Sequence, residues 1–303
     1  MTYSTDKYIL GAGIAGLIYG FYKQDFYIVS PEVGGQMKSN FNLGPRYLHD
    51  TEISRKFLTD ISYPIEKSTI RIAYLNDQGW INQPDLEFRQ KYYMKSRATN
   101  SLEGFDSSVM NSNKSEFDIL LVDFDEIIKK LVTRIGAHRF IKGTVDALDD
   151  RNRILTVGMD KGHKYYTYSS IVSTIPINFL NRSMMPPITT KPFESYDMTY
   201  VFCDEFQDLE GFDYVYDLRT TTSWHRMTRE KYGIVLDFFG RVEKVDKILD
   251  PIRPYIRDLK CLKNAQIISR DDIRDSGNVK FIGRYGTWNR TWKTEKVIEE
   301  AMK

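Results

Sequence analysis

Near the amino terminus, the run Lys7-Tyr8-Ile9-Leu10-Gly11-Ala12-Gly13-Ile14-Ala15-Gly16 sets a glycine fingerprint between an apolar strand and a helix. Ile14, Leu17, Ile18 and Phe21 recur at i, i+3, i+4 and i+7, the spacing of one helix face. Gly11 would permit a tight turn, Gly13 would let the backbone approach a pyrophosphate, and Gly16 would let the helix lie against the strand. Phosphates would then sit at the helix N-terminus, where unpaired N–H groups and the dipole favour an anion. An ordinary glycine-rich β–α turn shares this pattern, and the neighbours discriminate between the two. Asp25-Phe26-Tyr27-Ile28-Val29 reads as a second strand, which completes a βαβ unit of about thirty residues as a dinucleotide site requires. The acidic residue that normally accepts the adenosine ribose hydroxyls is missing. Ser30 stands in its place, and Glu32 behind Pro31 is the alternative.

Val33-Gly34-Gly35-Gln36-Met37 follows where a nicotinamide enzyme has no reason for paired glycines. Taken together, GAGIAGL and VGGQM resemble the two-part FAD signature of the large family holding amine oxidases, protoporphyrinogen oxidases and UDP-galactopyranose mutases. The resemblance implies an extended FAD touched by Gly11, Gly13, Ile14, Ala15 and Gly16, and by Gly35, Gln36 and Met37. Leu43-Gly44-Pro45-Arg46-Tyr47-Leu48-His49-Asp50-Thr51 is similar to the mutase segment G-P-H-x-x-H-T, which passes beside the flavin ring. Gly44, Pro45 and Arg46 are then cofactor neighbours, with Arg46 in place of the first histidine and His49 matching the second. A guanidinium cannot deprotonate, whereas it can stabilise an anionic reduced flavin. The plainer reading has Arg46 paired with a surface carboxylate and His49 as a structural histidine.

Asp123-Phe124-Asp125-Glu126 opens a capped helix with an apolar stripe that Gly136 ends, a core element. Stretches near 139–148, 154–158 and 164–168 read as a β-meander, and Ile171-Val172-Ser173-Thr174-Ile175-Pro176 as a buried strand stopped by proline. In the resembled family such a meander meets the adenine and such a strand ends near FAD, which implicates Val145 and Thr174. The segment Val279 to Trp292 resembles the mutase-like ending F-x-G-R-x-x-x-Y/W, followed by a helix from about Lys293 to Met302. It implies Gly283, Arg284 and Trp288 at the cofactor, with Arg284 on the pyrophosphate and Tyr285 near the ring. A rival reading takes Arg284, Arg290 and Lys293, interleaved with Tyr285, Trp288 and Trp292, as a base-stacking patch. No other basic run supports nucleic acid as a partner.

Lys plus Arg total 43 against 41 acids in 303 residues, so charge implies neither a polyanionic partner nor an acidic substrate. Two cysteines, far apart, argue against a disulfide framework and against a metal site. The absence of a signal-like start and of long apolar runs makes a cytoplasmic location, away from membranes, the default expectation. The expected fold is α/β: a Rossmann-like FAD-binding domain of parallel sheet and meander from 1–65, 136–182 and 262–303, plus a substrate domain from 66–135 and 183–261. Strand-like pieces at 200–202, 213–216, 224–227 and 233–239 suggest an antiparallel sheet in the latter. There Tyr214, Tyr216, His225 and Arg226 resemble a mutase-like Y-V-Y…H-R arrangement facing the active site. They serve equally well as half-buried sheet residues.

His49, Arg46 and Tyr285 are the catalytic candidates, by expected nearness to the ring alone. The first functional expectation is an FAD-dependent oxidoreductase of the amine-oxidase-like type, acting on a C–N or C–H bond of a small molecule, an amine or a nucleotide-linked compound. The second is a non-redox mutase using reduced FAD; its closer motifs favour it, while Arg46 and a short chain count against it. The third is an FAD-holding protein without turnover.

Overall fold

The structure, a computed structural model, describes residues 6–35, 47–81, 83–98, 100–102, 105, 116–206, 209, 211–230, 233–267, 273, 275–289 and 292–303. The chain divides into two compact units, one of residues 1–68, 119–193 and 268–303, the other of 69–118 and 194–267.

In the first unit, β1 (Lys7–Gly13), α1 (Ile14–Tyr22) and β2 (Tyr27–Gly34) form the expected βαβ crossover. A five-stranded sheet runs in the order Val279–Phe281, Ser170–Ser173, β1, β2, Phe140–Lys142, with every pairing parallel. Ile9, Leu10, Ile28 and Val172 are buried within it, as strands covered on both faces require. Leu17 and Ile18 of α1 share one apolar cluster with Val297 and Ile298 of the last helix, Thr294–Met302.

Helix Phe124–Ile135 joins the same cluster through Ile127 and Leu131. Asp123 caps it, its Oδ1 accepting from the N–H of Asp125 at 2.8 Å and of Glu126 at 3.2 Å. Gly136 ends it at φ +84°. The sequence boundaries placed this helix with the substrate segments; its apolar stripe finds its partners in the first unit, so it lies there instead. The meander is present as three antiparallel strands, Thr144–Asp149, Ile154–Met159 and Gly162–Thr167.

Arg139 fastens the crossover from below. Its buried guanidinium donates to the carbonyls of Gly20 (3.0 Å), Lys23 (2.7 Å) and Phe26 (2.6 and 3.0 Å). One side chain thereby satisfies the last carbonyls of α1 and the turn into β2.

The second unit is built on strands ordered Ile256–Ile267, Ser195–Cys203, Gly233–Phe239, Arg226–Glu230, Tyr214–Asp217 and Glu66–Asn76. Neighbours are antiparallel except the last two, so the sheet is mixed where an antiparallel one was expected. The cause is strand Glu66–Asn76, which comes from a distant part of the chain and settles in the same direction beside Tyr214–Asp217. Its alternating Ile70, Ile72 and Tyr74 carried the period-two signal. Val201, Val215, Met227, Leu236 and Phe238 line one face and pack with Trp224, Leu249 and Ile252. Helix Leu86–Lys95, begun by Asp85 accepting from the N–H of Phe88 at 2.7 Å, also belongs to this unit. Among the described residues no helix is long and apolar enough to cross a membrane.

Candidate functional site

Glycines shape the turn after β1. Gly11 sits at φ +100°, a conformation that side-chain-bearing residues rarely adopt. A Cβ on Gly16 would lie 1.9 Å from the Gly11 carbonyl oxygen, so only glycine lets α1 start this close to the strand. Gly13, the N-cap of α1 at φ −71° and ψ 176°, is different: any residue could adopt that backbone, and a Cβ there would meet nothing within 4 Å. The first N–H groups of α1 have no intrahelical acceptors, and beside them lies open space.

The two halves of the glycine signature meet at this turn. Strand β2 continues past its expected end at Val29, so that Ala12 pairs with Val33 and Gly13 with Gly34. Gly35 follows at φ +54°, where a Cβ would stand 3.2 Å from the Gly13 Cα. Thr174 braces the turn from the other side: its Oγ1 donates to Leu10 O at 2.9 Å, with Gly11 O at 3.3 Å, and its N–H also reaches Leu10 O at 2.9 Å. Its hydroxyl hydrogen therefore serves the backbone. Gly283, at φ +76°, comes onto the first turn of α1, since a Cβ on it would be 3.1 Å from the Ala15 Cβ. Arg284 is exposed and Tyr285 half-buried in the short helical turn Gly283–Gly286.

Trp288 departs from expectation. Its side chain is fully buried at 0% exposure and packs edge-on against Phe193 with centroids 5.2 Å apart. It offers no surface to a cofactor, and none to a stacked base, which removes a ring from the nucleic-acid reading. Gln36, Met37, Gly44, Pro45 and Arg46 lie outside the described residues.

Ser30 Oγ donates to the Glu32 carbonyl at 2.7 Å, so the ribose-position hydroxyl spends its hydrogen locally. Next to it opens a cavity of about 430 Å³ lined by Pro31, Lys142, Thr144, Asp146, Gly158 and His163. Val145, between two of those residues, turns its side chain into the core and pairs with Val157. His163 Nδ1 lies 2.8 Å from Asp146 Oδ2 at the rim.

His49 ends the short strand Tyr47–His49 and is held by a residue the motifs did not indicate. Glu295 Oε1 accepts from the His49 backbone N–H at 2.8 Å and lies 3.0 Å from its Nδ1. Burial works to raise the Glu295 pKa, yet the bonds from His49 prevail and hold the carboxyl below the usual range. The signal available in sequence was an acid in the first turn of the last helix, which reads equally well as dipole compensation.

In the second unit the register aligns one residue from each of six strands: Tyr74, Tyr216, Arg226, Asp237, Tyr200 and Lys260. Directly paired residues share a face, and this one is opposite Val215 and the apolar core. Arg226 Nη2 donates to Asp237 Oδ2, and the guanidinium lies 5.7 Å from the Tyr214 ring centroid. Tyr216 stacks on Tyr74 (centroids 5.6 Å apart, 12° between planes) and meets the edge of Tyr92 at 5.0 Å. Tyr92 also touches His225, at 5.7 Å. The structure thus gathers Tyr214, Tyr216, His225 and Arg226, and adds Tyr92 and Asp237.

Burial, reinforced by Arg226, Lys95 and Arg97, pushes the His225 pKa well below 6.5, so the imidazole is neutral at pH 7. Burial likewise pushes the Tyr216 phenol up to about 12. Buried His225 Nδ1, Arg226 Nε and Asp237 Oδ1 find no hydrogen-bond partner among the described residues. Unpartnered polar atoms of this kind are uncommon in a folded interior. Among the described residues no group of His, Cys, Asp and Glu could hold a metal ion.

No protein-family model matches the sequence, and no curated protein matches it either. Solved structures share the fold. Reduced UDP-galactopyranose mutase superposes with a TM-score of 0.71 at 11% identity, over 99% of this chain and 94% of that one. Cyclohexylamine oxidase from Brevibacterium oxydans IH-35A gives 0.62 at 12%, over 98% and 97% of the two chains. A CLA-producing fatty acid isomerase from P. acnes gives 0.64 at 10%, over 100% and 98%. The chain therefore has the α/β fold, with its parallel sheet, that amine-oxidase-like and mutase-like enzymes share, as its motifs implied.

Proposed function

We propose that the first unit binds FAD and that the protein is a flavin-dependent oxidoreductase of the amine-oxidase-like type, acting on a small molecule at a C–N or C–H bond. The observation that carries this reading is the turn itself: Gly13 faces open space at the uncapped start of α1, with Gly34 paired to it and Gly35 close beside it. That cradle fits a diphosphate, which needs close backbone approach and N–H donors. Gly11, Gly13, Ile14, Ala15 and Gly16 would hold it, with Arg284 supplying the positive charge. The cavity beside Ser30 and Val145 fits the adenosine end. When bound, the flavin supplies the capacity to accept a hydride, or to act as a nucleophile in the mutase reading. Tyr214, Tyr216, His225 and Arg226 would orient the substrate, as donors and stacking surfaces held rigid by one another.

The row of tyrosines around Arg226 favours a second reading, a non-redox mutase acting on a nucleotide-linked compound, because a guanidinium among phenols suits an anionic, hydroxyl-rich group. Purification of the chain with its bound chromophore, followed by mass identification of the released cofactor, tests the shared premise. A yellow protein releasing FAD is expected; a colourless protein that takes up no added FAD refutes both readings. Photoreduction then separates them. Rapid reoxidation with amine turnover supports the oxidoreductase, isomerisation by the reduced form alone supports the mutase, and neither activity marks an FAD-holding protein without turnover.

A further inference from the structure

We propose that Glu295 is a positioning residue that fixes His49 as its Nδ1–H tautomer, which makes Nε2 the nitrogen that takes up and returns a proton in the reaction. The use of that proton rests on the flavoenzyme reading above; the tautomer does not.

The geometry restricts the ring in two ways. One carboxylate oxygen, Glu295 Oε1, receives both the backbone N–H of His49 at 2.8 Å and the ring Nδ1 at 3.0 Å, across 246 residues of sequence. An ionised carboxylate only accepts hydrogen bonds, so Nδ1 must carry the hydrogen. In the neutral imidazole the lone pair then resides on Nε2. The backbone bond fixes the origin of the side chain and the ring bond fixes its rotation. A histidine oriented by a carboxylate is the arrangement through which general bases are kept in a productive tautomer.

The surroundings favour an ionised Glu295. It occupies the first turn of a nine-residue helix, where the dipole stabilises an anion. Its N-cap neighbour Lys293 attracts it, although burial and the repulsion of Arg284 lower the Lys293 pKa. On the histidine's own segment, Asp50 is engaged by Arg55 and Lys67, and Glu52 opens the next helix. The Tyr47 ring lies edge-on to the imidazole with centroids 5.4 Å apart. The Glu295 side chain is 18% exposed and that of His49 34%, so the carboxylate is the more buried partner of the two.

Nitrogen-15 spectra of histidine-labelled protein test the assignment, because the chain has only 4 histidines and a His49→Asn variant identifies the signal. At alkaline pH wild-type His49 should show a protonated, pyrrole-like Nδ1 and a pyridine-like Nε2. Glu295→Ala should move the proton mainly to Nε2, the preference of a free imidazole. Glu295→Gln should retain the Nδ1–H form, because its carboxamide oxygen still accepts. A wild-type spectrum with the proton on Nε2, or a folded Glu295→Ala variant indistinguishable from wild type, overturns the proposal. If Glu295→Ala does not fold, the wild-type and Glu295→Gln spectra decide by the same criterion. In the flavin-loaded enzyme, Glu295→Ala should lower kcat about 100-fold with little change in KM, the size of a general base's contribution. An intact kcat would overturn the proton-transfer role. Failure to bind flavin with the Nδ1–H signal present would sink the functional reading and leave the dyad standing.

Discussion

Gly13→Ala tests the cradle without touching the packing around it. At φ −71° and ψ 176° the backbone suits alanine, and the added methyl would meet no atom within 4 Å. Alanine loses less chain entropy on folding, worth about 0.4–1 kcal/mol, while it is a poorer N-cap than glycine by a comparable amount. The two nearly cancel, so the melting temperature should stay within about 2 °C of wild type. Cofactor affinity should not survive. The methyl occupies the volume where a diphosphate must approach the helix N–H groups, and forced overpacking of this kind costs about 1–3 kcal/mol, roughly 5- to 150-fold in Kd. Gly16→Ala provides the contrast. Its methyl would lie 1.9 Å from a backbone oxygen, far inside the 3.4 Å of ordinary contact, and neither element can yield without moving β1 from α1. A cost of about 3 kcal/mol exceeds the roughly 1 kcal/mol that alanine gains in a helix, and melting should fall by several degrees. Fluorescence titration with FAD and thermal unfolding of both variants give the comparison. Wild-type affinity in Gly13→Ala, together with wild-type melting in Gly16→Ala, would refute this account of the turn.

Arg139→Ala should destabilise the first unit by about 2–4 kcal/mol, because it removes the guanidinium from the carbonyls of Gly20 and Phe26 in a buried place. Urea unfolding measures this, and a loss under about 0.5 kcal/mol would show that water replaces the guanidinium. His225 should make the second unit acid-sensitive. Its folded pKa is depressed, so below the unfolded value of 6.5 only the unfolded chain binds the proton, and stability falls as pH drops, by at most about 1.4 kcal/mol per pH unit. Stability curves between pH 7 and about pH 5, above most carboxylate titration, should show that slope in wild type and a shallower one in His225→Gln. Equal slopes would mean that the imidazole becomes charged inside the fold.

How far the sequence could be read depended on the range of the forces involved. The fingerprint was legible because a strand end, a tight turn and a helix start are all written within residues 7–16. The helix Phe124–Ile135 was legible in its cap and stripe, yet its unit was not, since a stripe declares that it needs a partner without saying which. Trp288 looked like a ligand contact because its neighbours Gly283 and Arg284 carry the motif, and only packing against Phe193 revealed a core residue. The Glu295–His49 bond and the Arg139 clasp left no local trace, for each joins segments far apart in the chain.

Local sequence alone determined the βαβ unit, the two glycine turns and the alternation that puts Tyr214 and Tyr216 on one face. Tertiary structure decided that Gly13 and Gly34 stand side by side, and that six strands place Arg226 and Asp237 in one row of tyrosines. The physical reason is that backbone sterics and side-chain periodicity act over a few residues, whereas strand register and buried hydrogen bonds are settled only when distant segments compete for the same partners.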